Sequence, residues 1–254
     1  MKWRVIEKEA YSAAMNMAID HAICESMANG RENPTIRFYK WKNSSVSLGA
    51  YQNPKEINID FCEKNGIEIV RRMTGGRSVF HSRNDFTYSV IAHIRNFDYR
   101  IGNAYSQICS CIINALKDLG INADLENKND IIVNGKKISG NASKLMDKGI
   151  YLQHGTLIYD IDLKLMPEAL NISKDSVKNK VTAVPHHTKI NKEKFYTTLK
   201  SNFTKDKDFK TEELSKYELM RTEDLAKTKY SYIMLPAGTL VKNKGVCYVE
   251  RGKL

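Results

Sequence analysis

The sequence predicts an α+β fold: a mostly antiparallel sheet or sheets flanked by helices. Three observations point there. Two segments, "SAAMNMAIDHAICESMANG" and "NAYSQICSCIINALKDLG", carry apolar residues at helical spacing and each ends on glycine. Between and after them lie short alternating runs such as "TIRFYKW", "FTYSVIAHI" and "GIYLQHGTLIYDID". The runs are joined by tight turns, "KNSS" and "NG" among them, rather than by regularly alternating helices, which favours hairpins over βαβ units.

In chain order, the spacing predicts a helix from about Ser12 to Met27 capped by Ser12. "TIRFYKW" and "SVSLGAYQ" read as strands, and "NIDFCEKNG" as a short helix closed by Gly66. "IEIVRRM" and "FTYSVIAHI" read as the two arms of a hairpin whose bend is "TGGRSVFHSRND". The helix over "NAYSQICSCIINALKDLG" has an apolar stripe of Tyr105, Ile108, Ile112, Ala115, Leu116 and Leu119. "DIIV" and "KKIS" flank the Asn134–Gly135 turn, with "SGNA" after Lys137 read as a small-residue turn. A strand at "GIYLQHGTLIYDID", a helix start at "DLKLMPEAL", an extended "KVTAVPHH" and a helix at "NKEKFYTTLKSNFTK" follow. From about Lys205 the chain becomes more charged. A helix at "YELMRTEDLAKTKYSY" and a hairpin turning at Lys242 to Gly245 are expected there.

With 254 residues and a formal net charge of +11, the chain can bury a core and suits an acidic partner. No apolar run approaches the roughly 18 residues of a membrane span, and the N-terminus does not read as a signal peptide, so a cytoplasmic, non-membrane protein is expected. Aromatics are not interleaved with the basic residues as a single-strand nucleic-acid platform requires. The five cysteines, Cys24, Cys62, Cys109, Cys111 and Cys247, are odd in number and scattered, which argues against a disulfide framework.

Three stretches carry candidate chemistry. "RRMTGGRSVFH" puts forked arginine donors around a glycine turn, suited to an anion, though a plain basic hairpin has the same pattern. "KKISGNASK" carries Lys137, whose point charge could stabilise negative charge in acyl transfer; a solvent-facing lysine fits as well. "LQHGTLIYDID" carries His154, which alone reads as structural.

Taken together with "AAMNMAID", "IRFYKW", "VSLGAYQ" and "NDIIVNGKKISGNAS", these stretches resemble the lipoate-protein ligase and octanoyltransferase family over about residues 3–162, and more weakly to about residue 230. The resemblance implies a catalytic unit over 1–204, with 205–254 packed on it or appended. It implies nucleotide and substrate contacts from Arg72, Thr74, Gly75, Gly76, Arg77, Ser78 and His81. Further contacts are implied for Asn129, Asp130, Ser139, Gly140, Ala142, His154, Gly155 and Thr156. Asp130 would be the metal-side residue and Lys137 the catalytic lysine bridging phosphate and acyl carbonyl.

Two activities exist in such a family. Ligases use ATP and Mg2+ to make lipoyl-AMP from lipoate. Octanoyltransferases use a thioester and a cysteine nucleophile. No cysteine stands in "ADLENKNDIIV" or near "GNASK", so the sequence is read as an ATP-dependent lipoate-protein ligase. A transferase using a thioester or amide donor is the alternative, and a non-catalytic basic binding module a remoter one. Arg77, where a third glycine is frequent, pulls toward the transferase; Ser82 and His21 are further departures. Implied partners are lipoyl carrier domains of the 2-oxoacid dehydrogenase E2 or glycine-cleavage H-protein type. A separate accessory ligase subunit is also implied, because the chain is short for the usual extra C-terminal domain.

Overall fold

A computed structural model describes residues 2–127, 129–234, 240–242 and 248–249. The chain opens with β1 (Trp3–Tyr11) and α1 (Ala13–Ala28). As expected, Ser12 caps α1, its hydroxyl accepting from the Met15 N–H at 3.4 Å. Next come β2 (Thr35–Trp41), β3 (Ser45–Leu48), α2 (Ile59–Lys64), β4 (Glu68–Arg71), β5 (Val79–His81) and β6 (Phe86–His93). The middle of the chain holds α3 (Ile101–Asp118), β7 (Asp124–Glu126), β8 (Asp130–Val133), β9 (Lys136–Leu145) and β10 (Ile150–Leu157). Helices α4 (Leu165–Ala169), α5 (Lys174–Lys180) and α6 (Lys192–Thr204) lead to β11 (Phe209–Thr211) and α7 (Lys216–Leu225). Short strands β12 (Tyr232–Met234), β13 (Leu240–Lys242) and β14 (Tyr248–Val249) end the chain. The expected turn residues 243–245 lie outside the described residues.

The main sheet has the order β11-β1-β2-β6-β10-β9-β8-β7. Only β11–β1 and β1–β2 are parallel. Strand alternation divides the two faces. Phe86, Tyr88, Val90 and Ala92 of β6 and Tyr151 and Leu157 of β10 pack in one core with Ile108, Ile112 and Leu116 of α3 and Phe195, Leu199 and Phe203 of α6. The opposite face meets α1, where Ile91 and Leu152 pack against Ile19 and Ile23. Thr87, Ser89, His154 and Thr156 therefore lie on the α1 face by register. That face holds the candidate site.

Two sequence expectations are corrected. "IEIVRRM" and "FTYSVIAHI" are not arms of one hairpin. β4 pairs in parallel with β3, β5 pairs antiparallel to β3, and the three form a small separate sheet. Parallel pairing between strands some twenty residues apart leaves no local signature in the sequence. Likewise "SGNA" is not a turn. β9 runs straight through it, with Ser139, Gly140, Asn141 and Ala142 facing Leu157, Thr156, Gly155 and His154 of β10. The Asn134–Gly135 turn is where it was expected, both residues having positive φ (50° and 73°), as a two-residue hairpin loop requires.

A buried ion pair ties the last long helix to the first strand. Arg4 Nη1 and Nη2 donate to Glu218 Oε2 and Oε1 at 2.8 and 2.6 Å, and both side chains are buried. Glu218 also completes a capping box with Ser215 at the start of α7. Glu218→Ala leaves the Arg4 charge without this partner. It is expected to cost about 3–5 kcal/mol, read as a lowered urea midpoint; a loss below about 1 kcal/mol would show that the pair is not what holds α7. No helix of the described residues is long and apolar enough to cross a membrane.

Candidate active site

The α1 face of the main sheet and the small β4-β3-β5 sheet enclose a cavity of about 350 Å3. Met17, Tyr39 and Trp41 are its buried apolar lining, while Arg77, Asp130 and Lys137 are more exposed. Of the residues singled out in the sequence, Arg72, Gly76, Arg77, Ser78 and His81 line it from the glycine loop. Asn129, Asp130, Lys137, Gly140 and Ala142 line it from the β8–β9 side, and His154, Gly155 and Thr156 from β10. Thr74, Gly75 and Ser139 are not in its lining. Thr74 is wholly buried behind it and Ser139 is buried.

Lys137 stands over Gly140. A Cβ at Gly140 would lie 2.6 Å from Lys137 Cε and 2.7 Å from its Nζ, so a larger residue here would push the ammonium from this position. Lys137 Nζ is 2.8 Å from Asp130 Oδ1. Among the described residues no group of three or more His, Cys, Asp or Glu is placed to hold a metal ion by itself.

The arginines are used differently from the sequence expectation. Arg72 turns its donors onto its own loop and onto β3. Nε donates to Thr74 Oγ1 (3.2 Å), Nη1 to Ser47 O (2.8 Å) and Ser47 Oγ (3.2 Å), and Nη2 to Gly75 O (2.7 Å) and Arg77 O (2.8 Å). Arg71 Nη1 donates to Gly49 O (2.8 Å) and Gln52 O (2.7 Å). All three Arg72 nitrogens and Arg71 Nη1 thereby brace the loop. The loop also needs Gly49, where a Cβ would lie 1.8 Å from Gly76 O.

Beneath the cavity lies a charged network. Asp20 Oδ1 accepts from Arg37 Nη1 and from Ser89 Oγ, both at 2.9 Å, and Asp20 Oδ2 is 3.3 Å from His154 Nδ1. His154 Nε2 is 2.7 Å from Thr74 Oγ1. Arg72 and His154 thus meet at the Thr74 hydroxyl, and the His154 ring links that hydroxyl to Asp20. Burial alone would raise Asp20. The His154 hydrogen bond and the Arg37 charge prevail and hold it below the usual carboxylate range. A depressed folded value contributes stability that is present above the unfolded pKa, near 3.9, and lost as pH falls through the folded one. Asp20→Asn should therefore be less stable at pH 7. It should also lack this part of the acid-induced loss below about pH 4, seen by comparing urea midpoints of both proteins between pH 7 and pH 3. Parallel pH profiles would refute the assignment.

His81 is neutral. Burial, then the charges of Arg72 and His154, pull it well below its ordinary value. It stacks on Trp41 (centroids 4.0 Å, 17°). Its Nε2 is 2.8 Å from Ser47 Oγ and its Nδ1 is 3.0 Å from Thr156 Oγ1. Thr156 Oγ1 is 3.4 Å from Thr87 Oγ1, which accepts from Trp41 Nε1 at 2.9 Å. Arg72 and Trp41 are donors at both ends of this chain. Its three hydroxyls and one imidazole hold one proton more than its three internal links use. One hydroxyl of Ser47, Thr156 or Thr87, all in the cavity lining, thus donates elsewhere.

The model of the lipoyl protein ligase A/B catalytic domain matches residues 12–204 of this chain. The chain belongs to this family. Among its relatives, Octanoyltransferase LipM of Brevibacillus brevis is 34% identical over 206 residues, 71% of this chain and 74% of that one. Octanoyltransferase LipM of Halalkalibacterium halodurans is 31% identical over 266 residues, covering 90% and 96%. Among solved structures, the bipartite lipoate protein ligase of Thermoplasma acidophilum, studied with its E2 lipoyl domain, superposes with a TM-score of 0.82 at 28% identity, over 91% of this chain and 94% of that one.

The octanoyltransferase relatives overturn the sequence expectation of an ATP-dependent lipoate-protein ligase. That expectation rested on a missing cysteine, and an absent residue is a weaker guide than similarity along most of the chain. Arg77 was the one departure that pointed the right way. Sequence reasoning also missed Met17, Asp20, Arg37, Trp41, Ser47, Gly49 and Thr87. Only the inward-facing acid Asp20 on the mainly apolar stretch of α1 gave a signal, and its partners Arg37, Ser89 and His154 are too distant in sequence to be paired with it by spacing. Among the described cysteines of this family member, Cys24, Cys62 and Cys109 are buried and Cys111 half-buried, and none lines the cavity.

Proposed function

We propose that the chain is an acyltransferase that moves an octanoyl-type group from a thioester donor to a lysine amine on a lipoyl carrier domain. The observation that carries this reading is Lys137 Nζ, held by Asp130 at 2.8 Å beside a cavity with an apolar buried end, in a chain whose relatives are octanoyltransferases. In the transfer, the acceptor nitrogen bonds to the acyl carbon, the carbon–sulfur bond breaks, and the amine proton leaves with the thiolate. Met17, Tyr39 and Trp41 receive the alkyl tail. Lys137 stabilises the charge that builds on the carbonyl oxygen. The Arg72-braced loop fixes the tail and carbonyl relative to each other. The carrier domain's acidity, common in such modules, would complement a chain of net charge +11.

The test is intact mass of an apo lipoyl carrier domain after incubation with this protein. An octanoyl gain from an octanoyl thioester without ATP supports the reading. A gain obtained solely from the free acid with ATP overturns it.

A further inference from the structure

The row of residues along the acyl cavity contains a proton that the transfer leaves unused. Gly140, Thr156, Thr87 and Tyr39 are register partners on β9, β10, β6 and β2, and all four line the cavity. The cavity therefore runs across the strands. Lys137 Nζ stands over Gly140 at one end of the row. Thr156 lies one strand spacing from Gly140 and Thr87 two, about 5 and about 10 Å. An extended eight-carbon chain with its carbonyl at Lys137 thus ends beside Thr87.

Ser47, Thr87 and Thr156 are 2%, 3% and 4% exposed, and with His81 they form the chain of hydrogen bonds that holds one surplus proton. The neutral His81 ring donates through one nitrogen and accepts at the other. If Nδ1 donates, it donates to Thr156, and the surplus falls on Thr156 or Thr87. If Nε2 donates, it donates to Ser47, and the surplus falls on Ser47; Thr156 then donates to Nδ1 and Thr87 to Thr156. In both cases the Thr87 proton has nothing better than a 3.4 Å contact, the longest in the chain. The Thr87 oxygen already accepts from Trp41 Nε1 at 2.9 Å. What Thr87 lacks is an acceptor of its own, and whatever fills this end of the cavity has to supply it.

We propose that Thr87 seats an oxygen on the distal carbons of the acyl chain, so that the preferred group is a keto- or hydroxy-substituted chain. The proposal rests on the acyl-transfer reading and narrows its substrate class. A ketone is the closer match, because it accepts the Thr87 proton and brings none of its own. A hydroxyl accepts that proton but has to place another. A plain alkyl chain leaves a buried donor unpaired, which costs a factor of about ten or more in recognition. Met17, Tyr39 and Trp41 still line the cavity around the carbons.

The test compares small thioesters of octanoate, of its 5-, 6- and 7-oxo derivatives and of 8-hydroxyoctanoate. For the native protein, kcat/KM should be about tenfold or more higher for the 6- or 7-oxo chain than for octanoyl, with the 5-oxo chain, which ends its oxygen short of Thr87, gaining less. In a Thr87→Val/Trp41→Phe variant, which removes the hydroxyl and also the indole N–H that its loss would free, the oxo-to-octanoyl ratio should fall to near one. A hydroxy chain used as well as the best ketone widens the class to both oxygens; one used no better than octanoyl confines it to ketones. Equal use of oxo and octanoyl chains by the native protein, a comparison that needs no variant, overturns the proposal. So does a preference that survives in the variant. Calorimetric binding of the free oxo acids and of octanoate needs no acyl transfer. Tighter binding of an oxo acid, lost in the variant, in a protein inactive with every thioester would sink the transferase reading and leave the oxygen seat standing.

Discussion

Replacing Lys137 with glutamine is expected to lower kcat for acyl transfer by about two to three orders of magnitude with little change in KM or thermal midpoint. The ammonium is one-third exposed and its partner Asp130 one-quarter exposed, so their ion pair adds little to stability. The Lys137 backbone is held independently of its side chain: its carbonyl accepts from Thr182 N–H at 2.9 Å, and the residue bridges to Val181. Loss of the charge should thus appear in the chemical step alone. A glutamine variant that keeps a tenth or more of native kcat would remove Lys137 from the reaction. Gly140→Ala is a second route to the same point, because its methyl would occupy the space of Lys137 Cε and Nζ.

The second large effect is expected at Gly49. Its φ is not what makes glycine necessary; the backbone of Gly76 is. A methyl at Gly49 would meet Gly76 O at 1.8 Å and the Gly76 and Gly75 carbonyl carbons at 2.9 and 3.3 Å. Backbone cannot rotate away as a side chain can. The 74–77 turn must move, and with it the Gly75 and Arg77 carbonyls that Arg72 holds. Gly49→Ala should cost about 1–3 kcal/mol from overpacking. It should also raise KM for the acyl donor by more than tenfold, since a displaced loop closes or distorts the cavity. Native KM in a destabilised variant would show that the loop can move without consequence for the substrate.

The sequence was most legible where neighbours along the chain determine the outcome. Ser12 before a 16-residue helix and the Asn134–Gly135 turn are local patterns, and both elements form as their residues indicate. It was least legible where distant segments meet. The parallel pairing of β3 with β4 broke the expected hairpin. Small residues at 139–142 looked like a turn, yet they form a strand, and at Gly140 the missing Cβ leaves the Lys137 ammonium its place. The cavity-lining residues of the three quoted stretches were found because they are contiguous in sequence. Asp20 and Arg37 were not, because their value lies in the contact between a helix and a strand. The choice between two activities turned on a residue that is not there, and pattern reading has little purchase on absences.

The Arg72 guanidinium, committed on every nitrogen to its own loop or to Ser47 of β3, also limits how this protein can change its substrate. Arg72, Ser47, Thr74 and Gly49 act as one interlocked unit, so a substitution at any of them perturbs the whole loop. Met17 lines the same cavity from α1, outside that unit. Selection for a longer, shorter or differently substituted acyl chain should therefore accumulate at Met17, and a library randomised there should yield altered chain-length preference with the loop left intact.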